Sequence, residues 1–122
     1  MTSILVNNNK INLSKSRANG DTLKDELESM VSENDVLLFM KGNKQFPQCG
    51  FSAHVVGLIS QHTSDFVTVD ILADQEIRQG MKEFSNWPTY PQLYVKGKFV
   101  GGCDIMTELE EDGDFKDILL AN

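Results

Sequence analysis

The chain has 122 residues, 40% hydrophobic and 24% charged, which is enough to close one soluble globular core. No apolar run approaches the ~20 residues of a membrane-spanning helix, and eighteen Asp and Glu against eleven Lys and Arg leave a net charge of −7. That balance excludes a basic footprint for nucleic acid, and two cysteines are too few for the disulfide scaffold of a small secreted protein.

The lead differs from the rest. Residues 1–20 carry Lys10, Lys15 and Arg17 and no acid, with little periodicity. They are expected to form a disordered extension, and 21–122 the domain. Ile4-Leu5-Val6 is too short for a secretory core, so the sequon Asn12-Leu13-Ser14 meets no glycosylating compartment. A basic, acid-free, Ser-containing start also has the make-up of an organelle transit segment. For this soluble intracellular domain a mitochondrial or plastid matrix is the expected compartment on that reading, with the cytosol as the alternative.

Leu23, Leu27, Met30 and Val31 recur at helical spacing and predict an amphipathic helix over 22–33, capped by Asp21 or Thr22. Val36 to Met40 is a continuous apolar run fit for a buried strand. Val55, Val56 and Ile59 mark a second helix after Cys49. Residues 66–71 have strand composition, and Ile77, Met81 and Phe84 give a third helix its stripe from near Ala73. Residues 91–95 and 98–100 read as a hairpin about Lys96-Gly97. Helices over 104–110 and 114–120, parted by Gly113, close the chain. The order α-β-α-β-α-β-β-α-α predicts an α/β fold with a small mixed sheet of four strands flanked by helices.

Cys49 falls after a strand and loop, at the start of a helix. Free backbone N–H groups and the helix dipole there favour a thiolate over a thiol. Lys41, at the end of the preceding strand, adds a positive charge. The plainer reading is a buried structural cysteine, but Pro47, Gly50 and Ser52 are poor packing neighbours for one. Ser52 stands where a Cys-x-x-Cys motif has its second sulfur, and a hydroxyl cannot resolve a mixed disulfide. A local dithiol cycle is excluded. Cys103, after Gly101-Gly102, is the only other sulfur of a cysteine.

Lys41-Gly42, Pro47-x-Cys49-Gly50-Phe51-Ser52, Ile77-Arg78-Gln79-Gly80, Asn86-Trp87-Pro88-Thr89-Tyr90-Pro91-Gln92-Leu93 and Gly101-Gly102-Cys103-Asp104 occur in this order. Together they resemble the monothiol glutaredoxins of the Cys-Gly-Phe-Ser class, in register from about residue 22 to 120. The resemblance implies a thioredoxin-like fold and a glutathione-dependent carrier of a [2Fe–2S] cluster. Cys49 would be the catalytic thiolate and the metal ligand, with a second chain and two glutathione thiols completing a four-sulfur set in a homodimer. Lys41 and Arg78 would hold glutathione carboxylates, Arg78 through its planar fork. Lys82, four residues on, shares the Arg78 face or is simply solvated. Tyr90 would pair its backbone with the glutathione cysteine, before a cis Pro91. The amides of Cys103 and Asp104 would take the γ-glutamyl carboxylate, and the Asp104 side chain its ammonium. BolA-like proteins and apo iron–sulfur clients are the implied partners. Many family members have Thr-Pro where this chain has Asn43-Lys44, so a freer loop and one more cation near the site are expected.

Other readings stay open at this point. The chain would act as a glutathione-dependent oxidoreductase that removes glutathione from mixed disulfides, as a sensor with a Cys49–Cys103 disulfide, or as a cofactor-free interaction module. Arg78 could pair with Asp74 along its helix. Trp87 reads as packing near the site. His54 and His62 with the two cysteines match no usual zinc spacing, and the acids from Glu108 to Asp114 read as a solvated face.

Overall fold

The computed structural model describes residues 3–6, 9–12 and 22–121. Helix α1 (Leu23–Glu33) starts at a capping box: the Thr22 hydroxyl accepts from the Asp25 N–H, and the Asp25 carboxylate accepts from the Thr22 N–H. Its stripe buries Leu27, Met30 and Val31. Strand β3 (Val36–Met40) is buried at all five positions. Both its faces are covered, which is why it reads as an unbroken apolar run.

β3 pairs parallel with β4 (Val67–Asp70) and antiparallel with β5 (Gln92–Val95), so Phe39 stands between Val69 and Gln92. β5 turns into β6 (Lys98–Gly101) through Lys96 and Gly97, both at positive φ, as the twist of a tight hairpin requires. These four strands make the expected mixed sheet, in the order β4-β3-β5-β6. β5 begins one residue after Pro91, which has no N–H for the ladder. Phe66, read as strand, precedes β4 but is a buried core residue.

Alternation along β3 divides the core in two. Leu37 and Phe39 face α1 and α3 (Gln75–Ser85), meeting Leu27, Met30, Ile77 and Met81. Val36, Leu38 and Met40 face α2 (Gly50–Ser60), α4 (Cys103–Glu111) and α5 (Phe115–Leu120), meeting Val55, Ile59, Met106 and Phe115. Each fully buried side chain of this size contributes about 1.5–3 kcal/mol relative to exposure.

The lead differs from an extension without elements. Ser3–Val6 (β1) and Asn9–Asn12 (β2) pair antiparallel, and Val6 pairs with Val69, adding two strands outside β4. The outer edge of β4 offers unpaired backbone groups, and Ile4-Leu5-Val6 is strand-forming in composition; the polar make-up of the lead as a whole hides this. Residues 1–2, 7–8 and 13–21, and with them the boundary at 21 and the Asp21 cap, lie outside the described residues. Among those described, no helix is long and apolar enough to cross a membrane.

The topology gathers one end of the molecule. The C-terminal end of β3, the N-terminus of α2, the segment entering β5 and the N-terminus of α4 all meet at the same end of the sheet. Crevices outside strand ends are where open α/β sheets take ligands.

Candidate functional site

The chain leaves β3 at Lys41 and doubles back. Gly42 has φ +87°, and a Cβ there would lie 2.4 Å from the Phe46 carbonyl oxygen, so only glycine fits. Its N–H donates to Asp70 Oδ1 at 3.0 Å, and the Gln48 N–H donates to the Lys41 carbonyl at 2.9 Å. This loop returns Cys49 to the side of Lys41. Asn43 does not free the loop as expected. Its Oδ1 accepts from the Gln45 and Phe46 N–H groups at 2.9 and 2.8 Å, a side-chain turn that replaces the stiffness of a proline. Nor does Lys44 add a cation to the site. Its Nζ donates to the Ser64 carbonyl and stands 4.0 Å from the centre of the Phe66 ring, and burial holds its pKa below the usual lysine range.

Cys49 is the N-cap of α2, with extended backbone. The Ser52 N–H, then the Phe51 N–H and the Ser52 hydroxyl, act on the sulfur, and with the Lys41 charge they outweigh burial and hold the thiol below its ordinary pKa. Ser52 is completely buried, and its Oγ accepts from the Lys41 N–H at 3.2 Å. Its own O–H is therefore free to point at the Cys49 sulfur. In the sequence this residue registers only as the missing second sulfur; its position as third residue of a helix capped by Cys49 is the signal for its active role.

A cavity of about 420 Å³ opens beside this helix end, lined by Lys41, Phe51, Arg78, Lys82, Trp87, Pro88, Thr89, Tyr90, Gly102, Cys103 and Asp104. All five residues expected to hold a ligand (Lys41, Arg78, Tyr90, Cys103 and Asp104) stand in this one wall. Cys49 is not part of the wall but adjoins it through Phe51 and Lys41. Lys82 lines it with Arg78, one helical turn apart. Asp74 Oδ1 caps α3 by accepting from the Glu76 and Ile77 N–H groups at 2.8 and 3.2 Å.

Cys103 is the first residue of α4, and both cysteines are free thiols. Burial pushes the Cys103 thiol up; Thr107 opposes this, while Asp104 and Cys49 add to it. The two sulfurs are thus biased oppositely, Cys49 toward thiolate and Cys103 toward thiol.

Several positioning contacts have no forerunner in the sequence reading. The Tyr90 hydroxyl donates to the Arg78 carbonyl at 2.6 Å, tying the loop before β5 to α3; burial raises its pKa far above the ordinary range. The Tyr90–Pro91 peptide is cis, as the resemblance implies. Gly102 carries no side chain where one would meet Trp87 Nε1 at 3.1 Å and the Pro91 carbonyl at 3.3 Å. His54 and His62 both reach toward α4, bonding to Thr107 Oγ1 at 3.1 Å and to Glu110 Oε2 at 2.7 Å. Glu110 is to that extent a hydrogen-bond partner of His62 rather than solvated face. Among the described residues, no three of His, Cys, Asp and Glu come together as a metal site.

The family model described as Glutaredoxin matches residues 36–100. The chain is 53% identical over 96 residues to the uncharacterized monothiol glutaredoxin ycf64-like of Synechocystis, covering 79% of this chain and 90% of that one. It is 52% identical over 95 residues to monothiol glutaredoxin-S17 of Arabidopsis thaliana, where the match covers 78% of this chain but 20% of the longer protein. Among solved structures it is similar to reduced poplar apo GrxS14, with a TM-score of 0.69 and 48% identity, over 79% of this chain and 88% of that one. A buckwheat glutaredoxin–glutathione complex shares the fold at TM-score 0.70 and 20% identity, over 89% of this chain and 94% of that one.

Proposed function

The chain belongs to the glutaredoxin family, with monothiol members among its relatives, and from that premise we propose that it is a glutathione-dependent carrier of a [2Fe–2S] cluster. The observation that carries this reading is the pairing of one activated thiol, Cys49, having Ser52 in place of a second sulfur, with an adjoining cavity of mixed charge. A [2Fe–2S] cluster takes four sulfur ligands. Two chains would each supply Cys49 and one glutathione thiolate, so the cluster is cargo held by borrowed ligands. Transfer is then ligand exchange: client thiolates replace the four sulfurs, with no change of oxidation state.

The cavity suits glutathione by charge. Lys41 and Arg78, with Lys82 close by, offer cations to its two carboxylates, and Asp104 offers an anion to its ammonium. The α4 N-terminus presents backbone amides at Cys103 and Asp104. The Tyr90 main chain offers an edge to the peptide backbone. The buckwheat glutaredoxin seen in complex with glutathione supports this choice of ligand. BolA-like proteins and apo iron–sulfur proteins are the partners this reading assigns, in a reduced, glutathione-containing compartment such as an organelle matrix or the cytosol.

Reconstitution with iron, sulfide and glutathione tests the proposal. The expected product is a coloured dimer, absent when glutathione is omitted and absent in Cys49→Ser. A colourless monomer under all conditions refutes it. The lowered pKa of Cys49 favours one second reading, deglutathionylation. There the Cys49 thiolate attacks the glutathione sulfur of a mixed disulfide, releases the protein thiolate and is freed by a second glutathione. Rapid turnover on a glutathionylated protein, without colour after reconstitution, would establish that reading instead.

A further inference from the structure

Gln92 opens β5 and is fully buried, a rare setting for a side-chain amide. It shares a face with Tyr94, two residues on. Its Nε2 donates to the Trp87 carbonyl and to the Thr89 carbonyl, each at 3.1 Å. One nitrogen thus fastens both sides of Pro88 to the sheet. Its Oε1 is buried without a hydrogen-bond partner. For packing alone, a methionine of similar length would fill the space and leave no acceptor orphaned. What the amide alone supplies is the pair of donated bonds, and both go to the segment that walls the cavity.

That segment leads to Tyr90, whose main-chain N–H and C=O have no partner among the described residues. An edge of this kind serves a peptide ligand only if it is held still, because freezing it on binding weakens affinity. The neighbouring Trp87 ring lies against Gly102, at the N-terminus of α4. The loop therefore touches two of the surfaces assigned to the ligand, and Gln92 is its anchor from below.

We propose that Gln92 is a positioning residue for ligand binding: its amide holds the Trp87 and Thr89 carbonyls so that the Tyr90 main chain stands as a preformed edge for glutathione. The identity of the ligand rests on the functional reading above; the hold on the loop does not.

The full chain carrying Gln92→Met tests this, with Leu93→Ala on the opposite face of β5 as an ordinary packing lesion. Trp87 is the only tryptophan, so its fluorescence reports on the loop. In Gln92→Met, acrylamide should quench Trp87 more strongly, and glutathione affinity should fall about tenfold, the scale set by lost hydrogen bonds. The pH midpoint of Cys49 alkylation should stay in place, because Gln92 does not touch the thiol. Leu93→Ala should melt earlier with Trp87 quenching unchanged. The proposal is overturned if Gln92→Met matches the wild type in both quenching and affinity, or if Leu93→Ala moves both equally. If the wild type takes up no glutathione, the functional reading fails. Trp87 quenching then still decides: a rise in Gln92→Met supports the anchor, and no change overturns it.

Discussion

Ser52→Ala removes one oxygen from a completely buried site, and two separable effects should follow. First, the Lys41 N–H loses its acceptor, held at 3.2 Å in a partly buried setting. An amide left without a partner costs about 1–3 kcal/mol; the length of the bond and partial access of water put this case near the lower end. For a chain of 122 residues about 1 kcal/mol lowers the melting temperature by roughly 4 °C, so a drop of that order is expected. Second, Cys49 loses a donor that favours its charged form. The thiol then becomes the better form over a wider range, so the pH midpoint of alkylation rises and the rate at neutral pH falls. The Ser52 and Phe51 amides and the Lys41 charge remain, so the midpoint should stay below that of an ordinary cysteine. Iodoacetamide rates followed across pH, beside a thermal melt, read both effects on one sample. An unmoved midpoint would refute the assignment of the Ser52 proton to Cys49; an unmoved melt would refute the bond to Lys41.

Asn43→Ala should loosen the loop that its side chain pins, costing about 1 kcal/mol for two exposed bonds. Hydrogen exchange at Gln45 and Phe46 should quicken, and exchange rates equal to wild type would remove Asn43 from that role. Gly102→Ala brings a methyl to 3.1 Å from Trp87 Nε1 and 3.3 Å from the Pro91 carbonyl. Overpacking of this kind costs about 1–3 kcal/mol, and the ring must shift, so a change in Trp87 emission is expected; identical emission with full stability would contradict the fit. His62, two residues past the end of α2, meets Glu110 of α4 at 2.7 Å, with side chains only 16% and 26% exposed. A double-mutant cycle of His62→Gln and Glu110→Gln should return a coupling of about 0.5–1.5 kcal/mol, and additive losses would mean that the pair contributes nothing.

Local patterns carried the fold where one face is apolar. Leu27, Met30 and Val31 located α1 by spacing alone, and the unbroken Val36–Met40 run placed the central strand because nothing but burial on both faces explains it. The pairing of β1 on β4 was illegible for the opposite reason. It depends on a distant edge being vacant, while the composition around Ile4-Leu5-Val6 is polar. The site divides in the same way. Cys49 announces itself by its place before a helix, and the cations by motif and charge. Tyr90 to the Arg78 carbonyl, twelve residues back, and Gln92 to the Trp87 and Thr89 carbonyls just before it, are bonds between a side chain and a main chain. A side chain aimed at a carbonyl imposes no residue type on its partner, so no pattern records it. Lys44 shows the converse: its place in the sequence suggests a site cation, and the fold turns it onto the Phe66 ring.

The placement of charge bears on how an acidic chain receives an anion. Three of the eleven bases lie in the first twenty residues, so from Asp21 onward eight bases meet eighteen acids, a balance of −10. Such a domain repels anions at long range. Yet Lys41, Arg78 and Lys82 face one cavity from two elements, against the single carboxylate of Asp104. The densest acids lie elsewhere: Glu111 is eight residues along α4 from Cys103, about 12 Å of helical rise, and Asp112 and Asp114 lie beyond it. At physiological ionic strength the screening length is about 8 Å, so those carboxylates are largely invisible to a ligand at the N-terminus of the same helix, while the three cations within contact range are not. Lowering the salt lengthens the reach of the distant acids more than it strengthens contacts already made. Glutathione affinity should therefore change far less with ionic strength than three cations alone would suggest. The separation of acids from cavity, rather than the net charge, decides what this surface can hold.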